Sequence, residues 1–401
     1  MKKLSSGITA PQGFTAQGIC AGIKNEEKED LAIIFSASRC TTAGVFTTNL
    51  VHAACIDINR EHLRDQQAQA IIVNSGNANA CTGKQGYADT LRMAQIGARA
   101  LNIDPRDVLI ASTGVIGVEL PMERVEAGIY KAAQELSMQG SASAARAIMT
   151  TDLRIKEQAV EVVIKGKPVR LGAIAKGSGM IHPQMATMLA FITTDVCISP
   201  ECLQTALHSS VGDSFNMISV DGDTSTNDMV LVMANGRANN PIIDQVDSPE
   251  YDLFVHAMQE ICQHLARLIA RDGEGAEHLI EVKVLHAADQ NTARTIARSV
   301  SSSNLVKCAV FGADANWGRI LAAAGYSGAA FDPGKVDIYL GREMMACNGQ
   351  GVKFDEEKAK KELKKETVSI VLDLKSGPAS ATAWGCDLSY DYVKINADYR
   401  T

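Results

Sequence analysis

Residues 176–195 read KGSGMIHPQMATMLAFITTD, and the apolar run inside this stretch limits the folds open to the chain. Met188-Leu189-Ala190-Phe191-Ile192 is five apolar residues bounded by polar ones, a pattern that suits a buried strand. Ahead of it, Lys176 to Pro183 is a flexible approach of Gly, Ser, His and Pro, and Thr187 stands at the head of the strand. A hydroxyl residue in that place can be a nucleophile whose own α-amine, freed when the preceding bond is cut, acts as its base. Taken alone, the pattern favours an ordinary strand threonine, because Thr is common in strands.

Other apolar, β-rich runs predict further strands: 31–35 (LAIIF), 70–74 (AIIVN), 108–112 (VLIAS) and 229–233 (MVLVM). Residues 160–177 predict a hairpin turning near Lys165-Gly166-Lys167, whose second strand delivers the chain to the glycine-rich approach. Ser199-Pro200-Glu201 and Ser248-Pro249-Glu250 each supply an N-cap, a first-turn proline and an acid near the positive helix end. The second of these helices is expected to run to Ala270 and stop before Asp272-Gly273. The charged stretch 355–366 predicts an exposed helix, and 279–287, 336–341 and 368–374 predict strands of a last region. A soft domain boundary falls near 282.

The chain's 401 residues suffice for two or three domains with sizeable cores. A net charge of -7 gives no footprint for nucleic acid or an anionic membrane, so neither is expected as a partner. No run approaches the roughly 20 apolar residues that span a bilayer, and the start MKKLSSGITAPQGF has no apolar segment of a signal peptide. Ten scattered cysteines without a CxxC pair read as reduced thiols, and a cytoplasmic location is expected.

Several apparent motifs fail on spacing. NANACTGKQ lacks the P-loop interval and its Ser/Thr, and DGDTSTND (221–228) has Thr226 and Val232 where a calcium loop needs Gly and Glu. Cys262 points away from His256 on a helix that also carries His264, which argues against a metal site. No GxGxxG or Gly-x-Ser-x-Gly is placed to act. No metal and no cofactor are expected.

KGSGMIHPQMATMLAFITTD resembles the self-cleavage segment of the ornithine acetyltransferase (glutamate N-acetyltransferase) family. The resemblance extends over NSGNANACTG (74–83), ASTGVIG (111–117), MTTD (149–152), SFNMISVDGDTSTND (214–228), RDGEGA (271–276), GADANWGRI (312–320) and NADYRT (396–401). It implies a layered α/β (α+β) sandwich of mixed sheets and helices with an N-terminal-nucleophile-like site. A catalytic region, 1–282, would be followed by a smaller C-terminal α+β domain, 283–401, whose tail reaches the site. It implies cleavage between Ala186 and Thr187 into chains 1–186 and 187–401, which stay associated, as an α2β2 heterotetramer. The mature enzyme would take acetyl from N2-acetyl-L-ornithine onto Thr187 and pass it to L-glutamate, a ping-pong acyl transfer of arginine biosynthesis.

The resemblance further assigns the oxyanion hole to Thr113 and Gly114, where the local pattern alone favours a strand-ending turn. Thr150, Lys176, Thr187, Glu274, Asn396 and Thr401 would bind substrate, with Thr151 open as an alternative to Thr150. Without it, Lys176 reads as a solvated lysine, Glu274 as surface decoration, and Asn396 and Thr401 as a fraying tail. His182, beside Pro183, is expected to make a structural hydrogen bond. Two alternatives are an N-terminal-nucleophile aminopeptidase or amidohydrolase, where water takes the acyl group, and a non-enzymatic amino-acid-binding protein. No legible motif encodes whether acetyl-CoA also donates.

Overall fold

The strand Leu189–Thr194 lies inside the first sheet, antiparallel to Lys167–Lys176 on one side and parallel to Met229–Ala234 on the other. All six of its residues are buried, and their side chains divide with period two. Ala190 and Ile192 join one core with Ala173, Val230 and Val232, while Leu189 and Phe191 join a second with Ile174, Met229 and Leu231. An uninterrupted apolar run is what a strand covered on both faces requires. The computed structural model describes residues 1–24, 27–182 and 188–398. The expected cleavage site Ala186–Thr187 and the expected ligand Thr401 lie outside the described residues.

Among the described residues the first sheet has nine strands. Their order is Lys2–Leu4, Lys156–Ile164, Lys167–Lys176, Leu189–Thr194, Met229–Ala234, Leu31–Phe46, Gln67–Asn77 and Val108–Val115, with Phe14–Ile19 also paired to Leu31–Phe46. Helices Ala54–His62, Gly83–Leu101 and Met122–Gln134 bury their apolar faces in one core, and Pro200–Gly212 and Pro249–Arg271 in the other. Helix Pro249–Arg271 packs on Lys156–Ile164 and Lys167–Lys176 of the first sheet and on Ala379–Cys386 of the second.

That second, seven-stranded sheet runs Gln350–Gly351, Glu343–Cys347, Asp337–Leu340, Thr367–Asp373, Leu279–Ala287, Ala379–Cys386, Ile218–Ser219. The fold is thus a layered α/β sandwich of two mixed sheets and helices. The boundary expected near 282 falls inside the strand Leu279–Ala287, and Ile218–Ser219 crosses from the earlier part of the chain to pair with this sheet.

Local chemistry sets the element ends. Ser199 Oγ accepts the Cys202 N–H at 3.3 Å and Ser248 Oγ the Tyr251 N–H at 3.2 Å, each with proline in the first turn. The hairpin turns at Lys165 (φ 50°) and Gly166 (φ 77°), the positive pair that a two-residue turn between twisted strands needs. LAIIF proves to be only the start of the strand Leu31–Phe46, which continues through a register shift between Phe35 and Cys40. The polar stretch Ser36–Arg39 at that irregularity hides the continuation from periodicity. The charged helix is shorter than expected, Glu356–Leu363, with Ala359 and Leu363 buried. Among the described residues no helix is long and apolar enough to cross a membrane.

Candidate active site

Two parallel strand ends form one wall. Gly114 lies beside Gly76 in the register of Val108–Val115 with Gln67–Asn77 and has φ +133°. A Cβ at 114 would stand 2.3 Å from the Gly76 carbonyl carbon and 2.5 Å from the Asn77 nitrogen, so only glycine fits. Asn227 fastens the loop 221–228 to these ends: its side-chain N–H groups donate to the Ala78 carbonyl at 2.7 Å and the Ser112 carbonyl at 2.8 Å. The segment that fails as a calcium loop therefore lines a cavity, through Asp221, Asp223, Ser225, Thr226 and Asn227.

Lys176 ends the strand Lys167–Lys176 with only 3% of its surface exposed, not solvated as its local sequence suggests. Its Nζ donates to Thr150 Oγ1 at 2.8 Å and to Thr113 Oγ1 at 3.3 Å. Burial pushes its ammonium below the usual lysine range, against the opposing pull of the Asp152 carboxylate. Asp152 in turn accepts from Lys156 Nζ and the Gly177 N–H, both at 2.7 Å, and from the Thr150 N–H at 3.0 Å. Burial alone would raise this carboxyl, but Lys156 and Lys176 hold it below the ordinary carboxylate range. Lys156 Nζ also reaches Asp272 Oδ2 at 2.6 Å, so one buried ammonium joins two buried carboxylates, one of which anchors the Thr150 and Gly177 N–H groups.

The approach expected to be flexible is pinned over the part described, 177–182. Ser178 Oγ donates to the Asp272 carbonyl at 2.7 Å, and the Met180 and Ile181 N–H groups donate to Asp221 at 2.5 and 2.8 Å. Composition suggested mobility; backbone partners supplied by distant segments remove it. His182 makes the expected structural contact, Nδ1 to Ser219 Oγ at 3.3 Å. Its imidazole is held below the usual range by burial and by the Arg298 charge.

Glu274 is buried rather than decorating the surface, and it accepts from Asn396 Nδ2 at 2.8 Å. Asn396 sits on the helix Tyr390–Asp398, so the tail expected to fray is helical over the part described, to Asp398. Close packing locks that helix to the turn bearing Glu274: a Cβ on Gly275 would lie 2.5 Å from the Tyr392 nitrogen, and Ser389 Oγ donates to the Gly275 carbonyl at 2.6 Å. The Tyr392 phenol is pushed up by burial and by the Asp221 and Glu274 carboxylates, so it stays a hydroxyl.

Thr113, Gly114, Thr150, Thr151, Lys176, Glu274 and Asn396 thus line one cavity of roughly 200 Å³, the space of a molecule smaller than a typical drug. Only Thr150 of the threonine pair bonds to Lys176. Asp221, Asp223, Ser225, Thr226, Asn227 and Tyr392 also line the cavity and were not legible in the sequence as site residues. The run of small polar residues around Gly222 was the one available signal, since such a loop suits close approach to a ligand.

Fold and site together define a layered α/β protein with a small, polar ligand cavity holding a buried cation and several carboxylates. The ArgJ family model matches residues 15–401. The chain is 55% identical over 403 residues to the arginine biosynthesis bifunctional protein ArgJ of Symbiobacterium thermophilum, covering 100% of each. It is 53% identical to the protein of that name from Caldanaerobacter subterraneus, again over 100% of both. A crystal structure of arginine biosynthesis bifunctional protein ArgJ from Bacillus halodurans is similar with a TM-score of 0.51 and 47% identity, over 52% of this chain and 98% of that one. The chain belongs to the ArgJ family.

Proposed function

We propose that this chain moves acetyl from N2-acetyl-L-ornithine to L-glutamate through an acetyl ester on Thr187, releasing L-ornithine and N-acetyl-L-glutamate. Family membership makes it an ornithine acetyltransferase of arginine biosynthesis. The observation that supports the finer reading is the convergence of Thr113, Gly114, Thr150, Lys176, Glu274 and Asn396, from separate segments, on one cavity. Lys176 is a point charge for a substrate carboxylate, and Glu274 a partner for an ammonium. Thr113 and Gly114 are the donors for the tetrahedral oxyanion; loss of one such donor typically costs about 2.7–4 kcal/mol of transition-state stabilisation.

In this reading the Thr187 hydroxyl attacks the Ala186 carbonyl, water hydrolyses the resulting ester, and the freed α-amine is the base for acetyl transfer. An unperturbed α-amine titrates at about 7.7–8.0, which leaves part of it neutral at pH 7. The Bacillus halodurans chain is matched over 98% of itself to 52% of this one, a proportion that supports a chain divided near its middle. The products 1–186 and 187–401 stay together because the strand Leu189–Thr194 is buried on both faces. A C-terminal domain (283–401) contributing its tail to the site, an α2β2 assembly and a cytoplasmic location belong to the same proposal, as does acetyl-CoA as a second donor to glutamate.

The test is mass spectrometry of the purified protein. Two fragments are expected, the larger beginning Thr-Met-Leu-Ala, and acetylornithine without glutamate should add one acetyl group to it. Adding L-glutamate should discharge that group as N-acetylglutamate; free acetate instead would mean a hydrolase. No mass shift in rapidly quenched samples, with intersecting double-reciprocal plots, would mean direct transfer without an acyl enzyme.

Glu274's role has its own check. A Cβ at Gly179 would stand 2.4–2.5 Å from the Glu274 carboxylate, the movable end of a flexible side chain. Gly179→Ala should therefore swing Glu274 aside while the fold tolerates the change. Loss of one charged hydrogen bond, about 1.5–3 kcal/mol, predicts a KM raised roughly 10- to 100-fold. An unchanged KM for both substrates would remove Glu274 from the binding set.

A further inference from the structure

The described residues that line the cavity carry one cation, Lys176, and three carboxylates, Asp221, Asp223 and Glu274. Two of these acids have partners within the protein. Asp221 accepts the Met180, Ile181 and Asp223 N–H groups, and Glu274 accepts from Asn396. Asp223 differs. Its N–H donates to Asp221 Oδ1 at 3.2 Å, while its exposed carboxylate makes no hydrogen bond or ion pair among the described residues. A loop aspartate ordinarily accepts a nearby backbone N–H, as Asp221 does, but Asp223 caps nothing. Gly222 makes the turn between the two acids at φ +90°, and Asn227 fastens the far end of the loop to the Ala78 and Ser112 carbonyls. An anchored loop thus presents an unpartnered carboxylate to the cavity.

Charge is unevenly spread along that cavity. Lys176 sits among the hydroxyls of Thr113 and Thr150 and forms no ion pair among the described residues. Asp223 shares its surroundings with Tyr392 and His182: with Asp221 and Glu274 it pushes the phenol up, and it opposes the fall that burial imposes on the imidazole. The side bounded by Tyr392 is therefore negative and the side bounded by Lys176 positive. A ligand with a carboxylate at one end and an ammonium at the other matches this polarity, and a ligand with carboxylates at both ends meets an opposing charge.

We propose that Asp223 sets the balance between the two substrates: its carboxylate draws the side-chain ammonium of acetylornithine and ornithine and opposes the side-chain carboxylate of glutamate. The proposal rests on the acetyl-transfer reading above and deepens it. Both substrates offer Lys176 an α-carboxylate, so they differ in the charge that the far end of the side chain brings to Asp223. The same attraction retains the product ornithine, so glutamate enters against a like charge and a competitor.

The experiment compares kcat/KM for each substrate, which in a ping-pong scheme reports that substrate's own half-reaction. Asp223→Asn keeps the shape and the N–H bond to Asp221 and removes only the charge. One exposed charge should change each value by roughly 3- to 5-fold, down for acetylornithine and up for glutamate, so that their ratio moves by roughly 10- to 25-fold. Inhibition by ornithine should weaken with it. Asp223→Lys should move the ratio further in the same sense, and added salt should shrink both differences. Calorimetric titration of the mature protein with L-ornithine and with L-glutamate reads the same preference without turnover. Changes of one sign for both substrates, or an unchanged ratio in both variants, overturn the proposal and leave the acetyl-transfer reading standing if the wild type makes N-acetylglutamate. A wild type that makes none ends that reading, and the calorimetric preference then decides the role of Asp223 alone.

Discussion

On the proposed mechanism, Thr187→Ala should leave a single polypeptide of 401 residues and lower acetyl transfer by on the order of 10⁴-fold or more, the scale of losing a nucleophile. Both losses share one cause: without the hydroxyl neither the backbone ester nor the acetyl ester can form, and without cleavage no α-amine exists to act as base. Thr187→Ser should keep part of each activity, since it retains the hydroxyl and loses only the methyl that restricts its rotamer. The check is a denaturing gel beside an assay for N-acetylglutamate. Wild-type turnover by the alanine variant would move the nucleophile elsewhere, and full activity in an uncut wild-type chain would remove the proposed base.

The second large effect is on stability. Lys156→Met keeps the length of the side chain and removes the ammonium that joins Asp152 to Asp272 in the interior. Leaving buried carboxylates without their partner costs about 3–5 kcal/mol. The sign with pH follows from Asp152. In the parent chain its folded pKa lies below the unfolded value of about 3.9, so its contribution is present above that value and is lost as pH falls through the folded one. With Lys156 gone, burial dominates and the carboxyl takes up a proton at higher pH in the folded state. The deficit of the variant is then largest near neutrality and shrinks on acidification. Urea midpoints of both chains at pH 7 and pH 4, in the uncut Thr187→Ala background so that one polypeptide unfolds, measure it. Equal midpoints at pH 7 would show the ion cluster to be dispensable. Asp152 also fixes the Thr150 and Gly177 N–H groups, so the variant should lose activity before it loses structure.

The run Met188–Ile192 announced its strand because a strand with both faces covered is largely apolar, and that requirement is visible residue by residue. The caps Ser199 and Ser248 were equally legible, since a cap is a contact over three residues. Thr113 and Gly114 stood at a visible strand end, but the need for glycine at 114 lies in Gly76, thirty-eight residues earlier in the chain.

Sequence by itself determined the family, the strands and the capped helices, because local pattern and motif are short-range properties. Tertiary structure alone decided the state of the charged and polar residues. Lys176 became a buried cation because Asp152, Thr150 and Thr113 are folded around it from other segments. Glu274 became a site carboxylate because the helix Tyr390–Asp398 closes over its turn and brings Asn396 to it. Asp228, one acid among 46 acidic residues, is buried at the head of the strand Met229–Ala234 because Met188, forty residues earlier, packs there and donates its N–H to it. The free energy of a charge depends on the dielectric and the partners that surround it, and for these residues both come from distant parts of the chain.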